Sequence, residues 1–179
     1  MESRNMVFIA RSLDGYIADK NGGLDWLNTV PNPDHLDLGY EKFILGVDAI
    51  VMGRTTFDTV CSFDIQWPYK IPVFVLSSSL GSLPEEYNDK AEIVKGPLSE
   101  VLDLIHKKGY PRLYIDGGVT VQNFLKEDLI DELIITTIPV LLGGGTPLFR
   151  ELPKEMEFEH MESVLYLDAV VQDCYRRKR

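Results

Sequence analysis

Apolar positions along the chain switch between a strand-like and a helix-like spacing, and the switches predict alternating elements. Met6–Ala10 is an apolar run closed by Arg11 and reads as a first strand, followed by a turn-rich stretch, Asp14–Gly23. Leu36, Tyr40, Phe43, Ile44 and Val47 recur at helical spacing and predict an amphipathic helix over Asp34–Leu45. Asp48–Met52 is a short buried strand running into Gly53-Arg54-Thr55-Thr56-Phe57 and a second helix. Pro72–Leu76 is the next strand, ending in three serines, and Ala91–Lys95 is a weaker one. Leu98, Val101, Leu102 and Ile105 mark a helix whose last turn carries His106, Lys107 and Lys108, cations suited to the negative end of the dipole. Gly109 and Pro111 stop it.

Arg112–Ile115 is another strand, and Gly117-Gly118 opens a helix containing Val121, Phe124 and Leu125. Beyond Asp131 the pattern changes. Leu133–Leu142 is almost continuously apolar, Gly143–Gly145 breaks it, and two long β-like runs follow at Glu157–Tyr166 and Asp168–Arg176. Short gaps between such runs suit hairpins, so the C-terminal third is expected to be antiparallel. The expectation is one α/β domain over residues 1–179, with a mixed, mostly parallel sheet flanked by helices and antiparallel C-terminal strands.

Composition narrows the function. Twenty-eight acidic against 18 basic residues give a formal net charge of −10. A field of that sign disfavours nucleic acid and anionic membranes, so an anionic ligand must be held by local groups. Cys61 and Cys174 form no CxxC, and His35, His106 and His160 form no HExxH; no metal site is expected. No apolar stretch approaches the ~18 residues of a membrane span, and the expectation is a cytoplasmic protein.

Three junctions carry candidate chemistry. At Gly53-Arg54-Thr55-Thr56, an arginine in a helix's first turn gains from an anion lying between it and the exposed backbone N–H groups. The alternative is that Arg54 pairs with a surface carboxylate while Thr56 caps the helix. At Ile115-Asp116-Gly117-Gly118-Val119, paired glycines let backbone approach a diphosphate, or else form a tight turn with positive φ. Leu76-Ser77-Ser78-Ser79 can hold a phosphate or cap a loop. All three fall at the carboxyl ends of predicted strands, where open α/β sheets bind ligands, and together they suit an extended phosphorylated ligand such as a dinucleotide. Trp26 and Trp67 read as loop anchors, His160 as a surface residue, and Arg176–Arg179 as a solvated tail.

These residues resemble the dihydrofolate reductase superfamily, and within it the reductase (RibD C-terminal) domain of the riboflavin-biosynthesis deaminase–reductase. The resemblance is carried by Ala10–Ala18 (ARSLDGYIA), Asp48–Thr56 (DAIVMGRTT), Ile115–Gly118 and Leu129–Phe149. It implies a dihydrofolate-reductase-like fold and NADPH as cofactor. By position, Ala10 and Ile17 would contact the nicotinamide, with Asp14–Gly22 as a loop closing over it. Gly53, Arg54, Thr55 and Thr56 would hold phosphates, Arg54 with Ser78 meeting the adenosine 2′-phosphate. Leu76 and Ser77 would flank the adenosine, and Gly117, Gly118 and Val119 the diphosphate. Asp116 matches the acidic residue of the riboflavin branch and is a candidate catalytic group.

Departures shape the substrate expectation. The chain has no CxxC to complete a zinc-deaminase site, so deamination is excluded. Phe8 stands where the riboflavin reductase carries a lysine, and VCSFDIQWPY around Thr59–Tyr69 replaces its D-D-P. Asp37 lies sixteen residues before Gly53, the spacing of the folate enzyme's pterin-gripping carboxylate, and is the second catalytic candidate. The expectation is an NADPH-dependent reductase delivering hydride to a pterin-like or aminopyrimidine-like heterocycle. Its alternatives are a dihydrofolate reductase and a non-catalytic NADPH-binding module. Apolar residues at Val164–Tyr166 and Ala169–Val171 on candidate outer strands predict a homodimer, and the family resemblance implies pairing through the C-terminal strands as well.

Overall fold

Eight strands form one sheet in the computed structural model, which describes residues 3–179; Met1 and Glu2 of the expected 1–179 span lie outside the described residues. In chain order the strands are β1 (Arg4–Ser12), β2 (Tyr16–Ala18), β3 (Ala49–Gly53), β4 (Val73–Leu76), β5 (Ala91–Val94), β6 (Arg112–Asp116), β7 (Glu132–Ile138), β8 (Thr146–Pro147), β9 (Phe158–Tyr166) and β10 (Val170–Arg177). The helices are α1 (Tyr40–Ile44), α2 (Arg54–Ser62), α3 (Leu98–Lys107) and α4 (Gly118–Lys126). The large sheet runs β5-β4-β3-β6-β1-β7-β10-β9. Pairing is parallel from β5 to β7 and antiparallel from β7 through β10 to β9. This is the mixed, mostly parallel sheet with antiparallel C-terminal strands that the sequence predicts.

Two-residue alternation divides the strands' side chains between two helical layers. Val7, Val51, Phe74, Leu113, Ile115 and Leu133 pack under Val101 and Ile105 of α3 and Val121 and Phe124 of α4. Met6, Ile50, Met52, Val75 and Tyr114 face the other way, onto Phe43 of α1 and Phe57 of α2. Because β1 lies near the middle of the sheet, Val7 is fully buried. Both tryptophans are loop anchors as expected: Trp26 packs on Ile138 and Val170, and Trp67 on the rings of Phe57, Tyr69 and Tyr87.

Three expectations need correction. The helix predicted over Asp34–Leu45 is confined to Tyr40–Ile44. His35, Leu38 and Gly39 all have positive φ, which no right-handed helix tolerates, and Asn32 closes the preceding turn by bonding Leu36 through both its backbone groups. Ala169–Val171 does not lie on an outer strand: β10 is clamped between β7 and β9, and Val170 is buried. The tail is not a solvated terminus, because Arg177 forms a two-pronged pair with Asp128 (2.7 and 3.0 Å) with its side chain 8% exposed. Arg176 and Arg179 reach Glu132 and Asp131.

Candidate functional site

The carboxyl ends of β1, β3, β4 and β6 open onto one cavity of about 1000 Å³. Ala10 and Ile17, the Gly53–Thr56 junction, Leu76-Ser77-Ser78, and Asp116 with Gly117, Gly118 and Val119 all line it. Residues far apart in the chain are thereby brought to one place. Asp37 is not among the lining residues. It lies ahead of α1, exposed, where its carboxylate accepts the backbone N–H groups of Glu41 (2.6 Å) and Gly39 (3.1 Å). Those bonds hold its carboxyl below the ordinary carboxylate value. A local cap is the role the geometry gives it.

Two helices begin at the cavity without side-chain caps. Gly53 precedes α2 and Gly117 precedes α4, and neither N-cap position supplies a side-chain cap to the first-turn N–H groups. Thr56 therefore does not cap its helix. The first-turn N–H groups of an α-helix have no intrahelical partner, and two such ends on one wall make a positive, donor-rich surface suited to phosphate oxygens. The tight-turn reading of the glycine pair holds at Gly117. Gly117 has φ +90°, and a Cβ on it would run into Thr56 Oγ1; one on Gly118 would run into the tip of Ile17. The two junctions thus interlock, and α4 can approach them closely because neither glycine carries a side chain.

Arg54 is half-exposed. Its guanidinium pairs with Asp58 one turn along α2 (3.3 Å) and reaches Ser79 Oγ at 3.5 Å, while Ser78 lines the cavity. The surface-carboxylate alternative is thus realised alongside the cavity position, since the same arginine lines the wall.

The loop over the Ala10 end is latched. Asp14 accepts the Ser12 hydroxyl (2.6 Å) and the backbone N–H groups of Leu142 (3.1 Å) and Gly143 (2.7 Å), which keep its carboxyl below the ordinary value. Behind the latch, β2 pairs antiparallel with β8, which carries Ile17 to the cavity wall opposite Gly118. Gly145, with φ +138°, lies against the Ala18 carbonyl, where a side chain has no room. Neither short strand is marked by periodicity; the glycine triplet and the Asp14-Gly15 pair were the available signals. Lys95, Asn123 and Lys126 also line the cavity and were not singled out from sequence, because isolated polar residues at element ends carry no pattern.

Asp116 closes the inner end. Its Oδ1 accepts the Gly117 N–H (2.8 Å), and the Tyr114 hydroxyl lies within hydrogen-bonding reach. Burial raises its carboxyl above the ordinary value, against the lowering effect of those two bonds. Among the described residues no cation bonds it. The site therefore combines a donor-rich wall suited to an extended anionic ligand with one partly buried acid at its inner end.

A family model, the RibD C-terminal domain, matches residues 6–171. The chain belongs to the RibD C-terminal domain family. Its fold is accordingly the dihydrofolate-reductase-like one, and its family is one of reductases. A solved structure from Shewanella sp. PV-4, named provisionally as a riboflavin biosynthesis protein, is 55% identical with a TM-score of 0.96, over 98% of this chain and 99% of that one. The uncharacterized protein YwjB of Bacillus subtilis is 39% identical over 159 residues, 87% of each chain. Dihydrofolate reductase from Enterococcus faecalis, solved with NADP(H), has a TM-score of 0.69 at 21% identity, over 98% of this chain and 97% of that one, and shares the fold.

Proposed function

We propose that this member of the family is an NADPH-dependent reductase that transfers hydride to a pterin-like or aminopyrimidine-like heterocycle, of the 5-amino-6-(5-phosphoribosylamino)uracil reductase type. The observation that carries the reading is the meeting of two uncapped helix ends, the interlocked Gly117 and Thr56, and Asp116 in one cavity. NADPH fits those residues. The α2 and α4 ends and Thr55 suit its phosphates, and Arg54 with Ser78 and Lys95 suits its 2′-phosphate. Ala10, Ile17 and the latched loop suit its nicotinamide. When bound, it supplies the hydride. The chain orients, excludes water and holds one proton on Asp116. The position of Asp37 outside the cavity weighs against strict dihydrofolate reduction, which needs a carboxylate beside the pterin.

The test is NADPH consumption with pterins, aminopyrimidine ribotides and simple carbonyls. Turnover with the ribotides is expected. Tight NADPH binding without turnover of any of them would favour the non-catalytic binding module.

A cytoplasmic homodimer completes the proposal. Among the described residues no helix is long and apolar enough to cross a membrane. The outermost strand, β9, has a register shift near Met161 and the charges Glu159 and Glu162 in its first half, devices that blunt an edge. Its second half leaves Leu165 61% exposed, an apolar edge open to a second copy. Sedimentation equilibrium should give twice the 20.3 kDa chain mass, and Leu165→Glu should restore the monomer. A single 20.3 kDa species in the unmodified protein refutes the dimer.

A further inference from the structure

The glycine triplet at 143–145 does not line the cavity, yet each of its members meets the segment that follows β1. The Gly143 N–H donates to Asp14 Oδ2 at 2.7 Å. A Cβ on Gly144 would run into the aliphatic stem of Lys20, and one on Gly145 into the Ala18 carbonyl. Asp14 supplies the other half of the clasp. Its Oδ1 accepts the Leu142 N–H (3.1 Å) and the Ser12 hydroxyl (2.6 Å), and the buried Ser12 Oγ in turn accepts the Tyr16 N–H (2.9 Å). The Leu13 N–H donates to the Val140 carbonyl and the Leu148 N–H to the Gly15 carbonyl, each at 2.9 Å. From Asp19 to Gly23 the chain bonds to itself instead. Asp19 Oδ1 accepts the N–H groups of Asn21 (2.7 Å) and Gly23 (2.8 Å), and the Asp19 N–H donates to the Gly23 carbonyl (3.0 Å).

We propose that Asp14 is a positioning residue: by clasping residues 12–18 to the glycine triplet it sets the nicotinamide-side wall of the cavity before any cofactor enters. The proposal rests on the reductase reading and deepens it. The resemblance has Asp14–Gly22 closing over the nicotinamide as one loop. On this geometry the loop is a fixed wall over 14–18, followed by a separate self-bonded turn at 19–23. Asp14 does not line the cavity, so it acts through its neighbours. Ile17, three residues on, lines the wall with its tip where a Cβ on Gly118 would lie. Ser12 lies two positions beyond Ala10 on β1, so the clasp also anchors the strand end that presents Ala10. A wall already in place need not be formed at the cofactor's expense. Once the clasp is lost, the wall is competent for only part of the time, and the affinity of whatever lies against it falls by that fraction. For charge-assisted bonds on an exposed carboxylate, discounted for solvent screening, that fraction is about one in three to one in ten.

The experiment pairs amide hydrogen exchange in the full chain without cofactor with binding of NADPH and of 2′-phospho-ADP-ribose, the same molecule lacking its nicotinamide. In the unmodified protein the Tyr16, Leu142, Gly143 and Leu148 N–H groups should exchange slowly, and NADPH should add little to their protection. Asp14→Ala should speed their exchange, weaken NADPH by about three- to tenfold and leave the nicotinamide-free analogue unchanged. A purely structural role would weaken both ligands together. Gly145→Ala drives a Cβ into the Ala18 carbonyl from the opposite segment and leaves Asp14 in place, so it should reproduce the pattern. Should either variant fail to fold, Asp14→Asn, which keeps one acceptor, should show the same pattern at smaller size. Asp19→Asn, confined to the separate turn, should leave the four amides as they are. Fast exchange in the unmodified protein that NADPH slows would show a wall formed by the cofactor, and overturns the proposal. Exchange unmoved by Asp14→Ala, or equal loss of both ligands, also overturns it, while normal NADPH binding by the unmodified protein leaves the reductase reading standing. If the unmodified chain binds neither ligand although its amides are protected until Asp14 is replaced, the reductase reading fails, and the positioning role with it.

Discussion

The two rims of the parallel sheet are built from opposite materials. At the amino ends of the strands, charges tie chain to chain. Asp48 before β3 grips Arg112 of β6 through its backbone and guanidinium, Glu132 of β7 takes both Arg4 and Arg176, and Asp128 takes Arg177 and Lys154. At the carboxyl ends the strands stop in Gly53, Asp116-Gly117-Gly118 and a serine loop, where the lining residue Arg54 pairs with Asp58 one turn along its helix. On the proposed function, the difference follows from what each rim must do. A rim with no ligand to admit can satisfy its polar groups internally, which fixes strand order. A rim that receives an anion must leave N–H groups unpaired until it arrives, which favours glycine and uncapped helix ends. Damage to the first rim should therefore cost stability and spare binding, and damage to the second should do the reverse.

The largest effect is expected at the glycine rim. Gly117→Ala forces a side chain at φ +90° into Thr56, with about 1–3 kcal/mol of backbone strain before any clash is counted. Gly118→Val meets instead the flexible end of Ile17, so it should abolish cofactor binding with a near-native far-ultraviolet dichroism. Titration with NADPH alongside thermal unfolding separates the two. Normal binding by Gly118→Val would sink the diphosphate assignment.

Next is Arg54→Ala. A charge-assisted bond to a 2′-phosphate contributes about 1.5–3 kcal/mol, about ten- to a hundredfold in affinity. The variant should lose its preference for NADPH over NADH with little change in NADH binding and none in melting temperature. Equal affinity of the unmodified protein for both cofactors would count against the assignment.

At the opposite rim, Asp128→Asn should leave binding intact and weaken the fold. Arg177, with Lys154 behind it, holds the Asp128 carboxyl down at about 2, below its ordinary 3.8. A depressed carboxyl stabilises the folded state fully above the ordinary value, and the contribution disappears as pH falls from about 4 toward 2. Discounted for solvent screening, the loss is about 1–2 kcal/mol at neutral pH. Denaturant unfolding of wild type and variant should differ at pH 7 and converge near pH 2.

How far each rim was legible follows from the same contrast. The carboxyl rim announces itself locally, since glycine pairs and Arg-Thr-Thr at strand ends are contiguous in sequence. The amino rim depends on pairs such as Arg177 with Asp128, 49 positions apart, so a basic tail reads as solvated until its partners are seen. The β2–β8 pair escapes because strands of three and two residues hold no period. The helix over Asp34–Leu45 misled for another reason. Tyr40 and Phe43 do pack inward at helical spacing, but the apolar signal of Leu36 comes from a turn whose positive-φ residues no propensity argument marks.

The smallest expected effect is also the sharpest test of the contrast, because it lies on an ion pair at the proposed ligand rim. On the proposed assignment Asp58 would compete with the 2′-phosphate for Arg54, and both side chains are about half exposed, 56% and 50%. An exposed pair one helical turn apart is worth about 0.3–0.5 kcal/mol. Asp58→Asn should therefore barely touch the melting temperature. It should instead tighten NADPH by about twofold, since Arg54 no longer has to leave a carboxylate to meet a phosphate and a like charge near the phosphate is gone. NADH should gain less, as it brings no 2′-phosphate to the arginine. The gain should fade as added salt screens all three groups. Equal tightening of both cofactors would move Arg54 from the 2′-phosphate to the shared diphosphate, and a loss of stability with no change in binding would make the pair part of the scaffold, as the pairs on the opposite rim are.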